Sequence, residues 1–234
     1  MKDADREAKS TIAYRPARAG SEHATRQVRE PSSPVLSENV RHTSTGQPRS
    51  RAVAKSSRTF CVWITGLPAA GKSTVAAALR DELHRMGIAS YILDGDQVRE
   101  GLNRDLGFSA ADRAESVRRV GEVARLMLDA GVVVIVSLIS PFQKDRAAVQ
   151  SRFEPGRFLE VFLDTPLDVC ESRDPKGHYK RARVGEISEF TGINSPYERP
   201  HSPDVHLVHD GAPPLKGVAR IVEYLEQRGL IDKC

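Results

Sequence analysis

Cysteine is scarce in this chain of 234 residues, and its three copies, Cys61, Cys170 and Cys234, stand far apart. Their spacing excludes a compact cysteine metal cluster, and an odd count argues against a disulfide framework. A reducing compartment, the cytoplasm, is the expected setting. Long apolar runs are lacking as well. Stretches such as Val132 to Val136 have the length of a strand, far short of the roughly 20 residues a membrane helix needs. The opening residues Met-Lys-Asp-Ala-Asp-Arg-Glu turn acidic at once and carry no hydrophobic segment, a pattern of neither a secretory signal nor a transit peptide.

Charge of one sign is also missing from most of the chain. Residues 1–58 hold 12 Lys and Arg against 6 Asp and Glu, whereas the remaining 176 hold 23 against 25. The net +4 therefore belongs to the N-terminal stretch and says little about the rest. Residues 1–57 are rich in Ser, Arg, Pro, Thr and Glu and poor in large apolar side chains. Such a segment cannot bury enough surface to offset its chain entropy, so it reads as a disordered basic tail, with residues 58–234 as one kinase-sized domain. Only Tyr14 in that tail offers an aromatic ring for base stacking, so nucleic acid is not an expected partner.

What the remainder does contain is alternation. Phe60-Cys-Val-Trp-Ile64 has the β-branched and aromatic content of a buried strand and runs into Gly66. A helical segment follows from Lys72 to about Met86 and ends at Gly87. Ser90 to Leu93, Val132 to Ile139, Phe158 to Leu163 and Val205 to Val208 read as further strands. Ser109-Ala-Ala-Asp112 opens a helix that Gly131 stops, and Leu215 to Gln227 forms the last helix. Strands alternating with helices specify an α/β fold with a parallel sheet, right-handed crossovers and a single domain.

Gly66-Leu67-Pro68-Ala69-Ala70-Gly71-Lys72-Ser73-Thr74 carries the pattern G-x-x-x-x-G-K-[ST] between a strand and a helix, where a phosphate-binding loop must sit. Two glycines let the backbone curl so that N–H groups face a phosphate chain. Lys72 supplies positive charge to the β and γ phosphates, and Ser73 a hydroxyl for Mg²⁺. ATP and Mg²⁺ are the implied ligands. Asp94-Gly-Asp96 follows the second strand at its C-terminal end, and a spacing of two puts both carboxylates on one side if the strand continues. The central strand ends in Ser137-Leu-Ile-Ser140 without the usual acid. Asp96 is therefore the obvious carboxylate for Mg²⁺ beside Ser73. Arg99 and Arg113 flank Phe108, an arrangement suited to gripping an anion beside a stacked base. The basic run Arg173 to Arg183, with Lys176 in it, stands where kinases of this type carry a mobile lid.

Together these residues resemble the adenylylsulfate kinases. The similarity runs in order through the phosphate loop, Leu93-Asp-Gly-Asp-x-x-Arg-x-x-Leu102, Asp105-Leu-Gly-Phe-Ser109, Asp112-Arg113 and Ile139-Ser-Pro141. It continues through Glu160 to Pro166, Arg173-Asp-Pro-Lys-Gly177 and Thr191-Gly-Ile-Asn-Ser-Pro-Tyr-Glu198. The resemblance implies a P-loop kinase that uses ATP to phosphorylate the 3′-hydroxyl of adenosine 5′-phosphosulfate in sulfate activation. It makes Lys72 and Asp96 catalytic, with Asp96 the metal-linked base. It assigns Asp94, Asp96, Arg99, Phe108, Arg113, Ser116, Ile139, Ser140 and Lys176 to the acceptor. Ser140 aligns with a serine described in the family as a possible phosphoserine intermediate, but no His lies near it in sequence and Asp96 is already assigned to the metal and the acceptor hydroxyl, so a positioning role is expected. A homo-oligomer, a dimer, and association with a separate ATP sulfurylase are further implications. Pro68-Ala69-Ala70 departs from the family loop, and Ser116 stands where the family usually has Asn. A kinase for gluconate or a nucleoside, or a regulator without turnover, are the competing readings.

Overall fold

The computed structural model describes residues 59–233, so the reading of residues 1–57 as a disordered tail lies outside the described residues. The chain order is β1 (Cys61–Thr65), α1 (Lys72–Arg85), β2 (Ser90–Asp94), α2 (Gly95–Glu100), α3 (Ala110–Asp129), β3 (Val133–Ser137), α4 (Gln143–Gln150), β4 (Phe158–Asp164), α5 (Leu167–Arg173), α6 (His178–Arg183), β5 (Val205–Val208) and α7 (Pro214–Gln227). The strands form one sheet in the order β2-β3-β1-β4-β5, and every pairing is parallel. The expected α/β architecture is thus the observed one. Four short helices, α2, α4, α5 and α6, were not read as such in the sequence because each is too short to show a clear helical period.

Alternation along the strands splits the core in two. Phe60, Val62 and Ile64 face one side of the sheet and pack with Leu79 and Leu83 of α1 and Ile221 and Leu225 of α7. Cys61 and Trp63 face the other side, against Val117, Val120 and Leu128 of α3. β3 divides the same way, Val133 and Ile135 to the first cluster and Val134 and Val136 to the second. An uninterrupted apolar run is what a strand covered on both faces requires. No helix among the described residues is long and apolar enough to cross a membrane.

The C-terminal ends of all five strands point to one edge of the sheet, where open α/β proteins bind ligands. α3 begins with a side-chain cap, Ser109 Oγ accepting from the Asp112 N–H at 3.1 Å while its own hydroxyl donates to the Asp112 carboxylate at 2.8 Å. That cap fixes where Arg113, one residue later, leaves the helix.

Close approach of α3 to α4 depends on Gly121, where an added Cβ would lie 2.8 and 2.9 Å from the two methyl carbons of Val149. A β-branched side chain cannot turn aside from such a clash. Gly121→Ala is expected to destabilise the fold by about 1–2 kcal/mol net, overpacking outweighing the better helix propensity of Ala. Denaturant titration checks this, and adding Val149→Ala should recover part of the loss through a favourable coupling of the two sites.

Candidate active site

A cleft of about 720 Å³ opens at that sheet edge, lined by residues following all five strands. Of the site residues read from the sequence, Pro68 to Thr74, Asp94, Asp96, Arg99, Phe108, Arg113, Ser116, Ile139, Ser140 and Lys176 all line it. Gly66 and Leu67 do not. They lie beneath, and their carbonyls accept from Lys72 Nζ at 3.1 and 2.7 Å.

The phosphate loop is held by its carbonyl oxygens. Tyr179 Oη donates to Pro68 O at 3.0 Å, Arg173 to Ala69 O and Ala70 O at 3.3 Å each, and Thr165 Oγ1 to Ala70 O at 3.0 Å. With the Lys72 bonds, every carbonyl from residue 66 to 70 has a partner. Peptide groups so anchored turn their N–H sides toward the cleft, the arrangement an anion nest needs. Gly66 cannot be replaced here, because a Cβ would lie 2.7 Å from the Leu163 carbonyl oxygen. Pro68 lacks an N–H, but the turn closes through the Ala70 N–H to Leu67 O at 3.2 Å, with Ala69 in the left-handed region at φ 57.

The two carboxylates part company, against the expectation that they share a face. The strand ends at Asp94, which caps α2 by accepting from the Asp96 N–H at 3.0 Å, so helical geometry replaces the strand's period of two. Asp94 Oδ2 accepts from Ser73 Oγ at 2.7 Å, and Ser137 Oγ lies 3.4 Å from that hydroxyl. Asp96 instead forms an ion pair with Lys176 of the lid segment. Hard oxygen donors from Ser73, Asp94 and Ser137 suit Mg²⁺, which binds through one or two carboxylates and substrate phosphates rather than a protein cage. No group of three or more His, Cys, Asp or Glu side chains placed to hold a metal ion occurs among the described residues.

On the other flank Phe108 is exposed, with the Arg99 guanidinium 4.3 Å and the Arg113 guanidinium 5.7 Å from its ring centre. Arg99 donates to Gly107 O at 3.1 Å. Arg113 donates to Phe108 O at 2.9 Å and Glu189 O at 2.6 Å. Burial pushes the pKa of both guanidinium groups down, and Arg99 pushes Arg113 down further. Two cations held together by neutral carbonyls make a site that an anion relieves. Ser116 accepts from Asn103 Nδ2 at 2.9 Å, so a buried amide from the preceding loop reaches the position through the serine hydroxyl.

Ser140 is 3% exposed and sits in the left-handed region at φ 38. Its hydroxyl accepts from Trp63 Nε1 and donates to Thr65 Oγ1, both at 3.1 Å, and Thr65 in turn donates to Ile139 O at 2.7 Å. Neither Asp94 nor Asp96 is among its partners. Sequence reading missed Thr165, Tyr179, Phe190 and Thr191, and the loop His209 to Pro214 after β5, all of which line the cleft except Gly211. The last of these had a signal in its place after a strand's C-terminal end. Thr165 and Thr191 lie in stretches that resemble the family and Tyr179 in the basic run, but their residue types alone mark no site until the chain folds.

Burial lowers the pKa of the Lys72 ammonium to about 8, with Asp94 and Asp96 pulling the other way. A lysine depressed from 10.5 binds fewer protons folded than unfolded, so its burial penalty is full below pH 8 and fades as pH rises. Phosphate needs the protonated form. Nucleotide affinity is therefore expected to fall above pH 8, by up to about tenfold per pH unit. Calorimetry of AMPPNP binding checks this, with proton uptake on binding near pH 8–9 and loss of the pH slope in Lys72→Met.

Residues 58–208 match the family model described as adenylylsulphate kinase. The adenylyl-sulfate kinase of Citrobacter koseri is 56% identical over 171 residues, covering 73% of this chain and 84% of that protein. A Mycobacterium tuberculosis APS kinase, solved in complex with AMPPNP and APS, superposes with a TM-score of 0.69 at 48% identity. That match covers 72% of this chain and 98% of the other. A hexameric APS kinase from Thiobacillus denitrificans matches at TM-score 0.57 and 32% identity, over 74% of this chain and 30% of its own. With a matching family model over most of its length and relatives more than half identical to it, the chain belongs to the adenylylsulfate kinase family.

Proposed function

We infer that the chain transfers the γ-phosphoryl group of ATP to the 3′-hydroxyl of adenosine 5′-phosphosulfate, releasing ADP and 3′-phosphoadenylylsulfate. The observation that carries this reading is one cleft whose two ends differ: a phosphate loop at β1, and an aromatic ring between two cations beyond β2. ATP occupies the first end and the acceptor the second.

Each group has a task that its contacts allow. Lys72 leaves Gly66 O and Leu67 O for the β and γ phosphates, and the phosphate chain lies against the N–H groups of residues 71–73 at the start of α1. Ser73 and Asp94 hold Mg²⁺, with Asp96 on the acceptor side. When bound there, Mg²⁺ neutralises charge on the phosphate oxygens. Asp96, released from Lys176 as the lid closes, accepts the proton of the 3′-hydroxyl, and Lys176 turns to the transferring phosphoryl group. Arg99 and Arg113 take the phosphosulfate, Phe108 stacks on the adenine, and Ser116 and Ile139 shape the pocket. Water excluded by the lid favours transfer to the hydroxyl over hydrolysis. A cytoplasmic homo-oligomer, dimeric in its basic unit, with access to an ATP sulfurylase that makes its acceptor, completes the proposal.

ADP release should require adenosine 5′-phosphosulfate, with gluconate a poor acceptor. Comparable turnover with gluconate would overturn the acceptor assignment. Asp96→Asn is expected to lower kcat by about 10²-fold or more while leaving AMPPNP affinity intact. Near-normal kcat in that variant would move the proton-accepting role elsewhere.

Direct in-line transfer is the mechanism this geometry favours over passage through Ser140. The serine hydroxyl is already an acceptor for Trp63 and a donor to Thr65, and no base touches it. Ser140→Ala should keep kcat within about tenfold of the wild type, at a stability cost of about 1–3 kcal/mol for the Trp63 N–H left unpaired. Wild-type protein given labelled ATP alone should form no phosphoserine. An inactive Ala variant and a phosphoprotein that goes on to react with acceptor would instead establish transfer through Ser140.

A further inference from the structure

Arg146 of α4 is almost wholly buried, and each arm of its guanidinium ends on a different segment. Nε meets the Glu160 carboxylate of β4 at 2.7 Å, Nη1 donates to Ser140 O at 2.7 Å, and Nη2 donates to Glu198 O at 2.8 Å. The plane lies 5.9 Å from the Tyr197 ring centre. Tyr197 Oη is in turn 3.0 Å from Thr65 Oγ1, the group that accepts from Ser140. Glu198 closes the same loop twice more, its N–H donating to Pro141 O at 2.8 Å and its carboxylate accepting from the Gln143 N–H at 2.7 Å.

Buried ion pairs are seldom retained for stability, since apolar replacements of similar volume often do as well. Where this one spends its remaining donors is therefore informative. Both carbonyls belong to chain segments that reach the cleft, one through Ile139, Ser140 and Pro141 and the other through Thr191. One is in the Ile139-Ser140-Pro141 turn. The other ends the run from Thr191 to Glu198, which starts beside Phe190 on the cleft wall. The turn also needs help, because Ser140 holds a left-handed backbone that costs about 1–2 kcal/mol for a residue with a Cβ.

We propose that Arg146 is a positioning residue for the acceptor: it braces the strained Ile139-Ser140-Pro141 turn against the Thr191–Glu198 segment, and so sets the pocket for adenosine 5′-phosphosulfate without touching it. This rests on the acceptor site proposed above. The brace acts through the Ser140 carbonyl, so the serine hydroxyl is dispensable to it while the backbone angle is not.

Arg146→Lys tests the brace, since a lysine keeps a charge for Glu160 but loses the fork that reaches both carbonyls. The expected result is a rise of at least about tenfold in KM for adenosine 5′-phosphosulfate with AMPPNP affinity unchanged, as misplacement of about 1 Å can cost up to 10²-fold. Adding Ser140→Gly to Arg146→Lys should restore several-fold of that loss, because glycine takes the left-handed angle without strain. Adding Ser140→Ala should restore none. Unchanged acceptor KM, an equal loss of AMPPNP affinity, or equal recovery with Gly and Ala would each overturn the proposal. Should Arg146→Lys fail to fold, Tyr197→Phe, which removes one hydroxyl from the same loop, is expected to give a smaller shift in acceptor KM alone; no such shift would overturn it. Wild-type protein that ignores adenosine 5′-phosphosulfate would remove the acceptor site itself and the inference with it, whereas an active wild type beside an unaffected variant removes only the inference.

Discussion

Everything in the cleft depends on how the carbonyl oxygens of residues 66–70 are occupied. A backbone loop can present N–H groups to phosphate only if its carbonyls, the opposite ends of the same peptide planes, find donors elsewhere. Here those donors come from far along the chain: Thr165 after β4, Arg173 at the end of α5, and Tyr179 in α6. Lys72 occupies the first two carbonyls itself, so the loop's own lysine completes the set of donors. The loop and the lid segment are thereby one mechanical unit. A change in the lid at Tyr179 or Arg173 acts on the phosphate loop directly through a hydrogen bond.

The same economy governs the charged groups. Lys72 on backbone carbonyls, Lys176 on Asp96, and Arg99 and Arg113 on carbonyls around Phe108 all have partners that a substrate can replace. Because these partners are mostly neutral or solvent-exposed, exchanging them for phosphate or sulfate is favourable rather than merely even. Arg146 is the contrast. Its guanidinium is itself buried and all three of its nitrogens are bonded to protein groups, which fits a brace and not a ligand contact. Backbone strain is distributed in keeping with this: among the described residues, the non-glycine positions at positive φ are Ala69, Ser140 and Glu189, two lining the cleft and the third offering its carbonyl to Arg113.

How far the sequence could be read follows from what kind of information each feature uses. The phosphate loop was legible because its chemistry needs glycines, a lysine and a hydroxyl at fixed spacing. The buried strands were legible because two covered faces demand unbroken apolar runs, and α3 because Ser109 and Asp112 cap it in a recognisable way. The pairing of Asp94 with Ser73 was not legible. Spacing alone suggested two carboxylates on one face, and only the cap that starts α2 at Gly95 sends them apart.

The amino-acid sequence by itself determined the alternation of strands and helices, the family, and the motif-borne residues of the cleft from Pro68 to Ser140, since periodicity and short-range motifs are local properties of the chain. Tertiary structure alone decided which acid pairs with Ser73 and which donors hold the carbonyls of residues 66–70. It also decided that Trp63 and Thr65 of β1, Arg146 of α4 and, through Thr65, Tyr197 of the run before β5 meet around Ser140, three segments in all. These are relations between segments far apart in the chain, or between groups whose direction a helix cap resets. No local pattern encodes them, because they exist only once packing brings the segments within hydrogen-bonding distance.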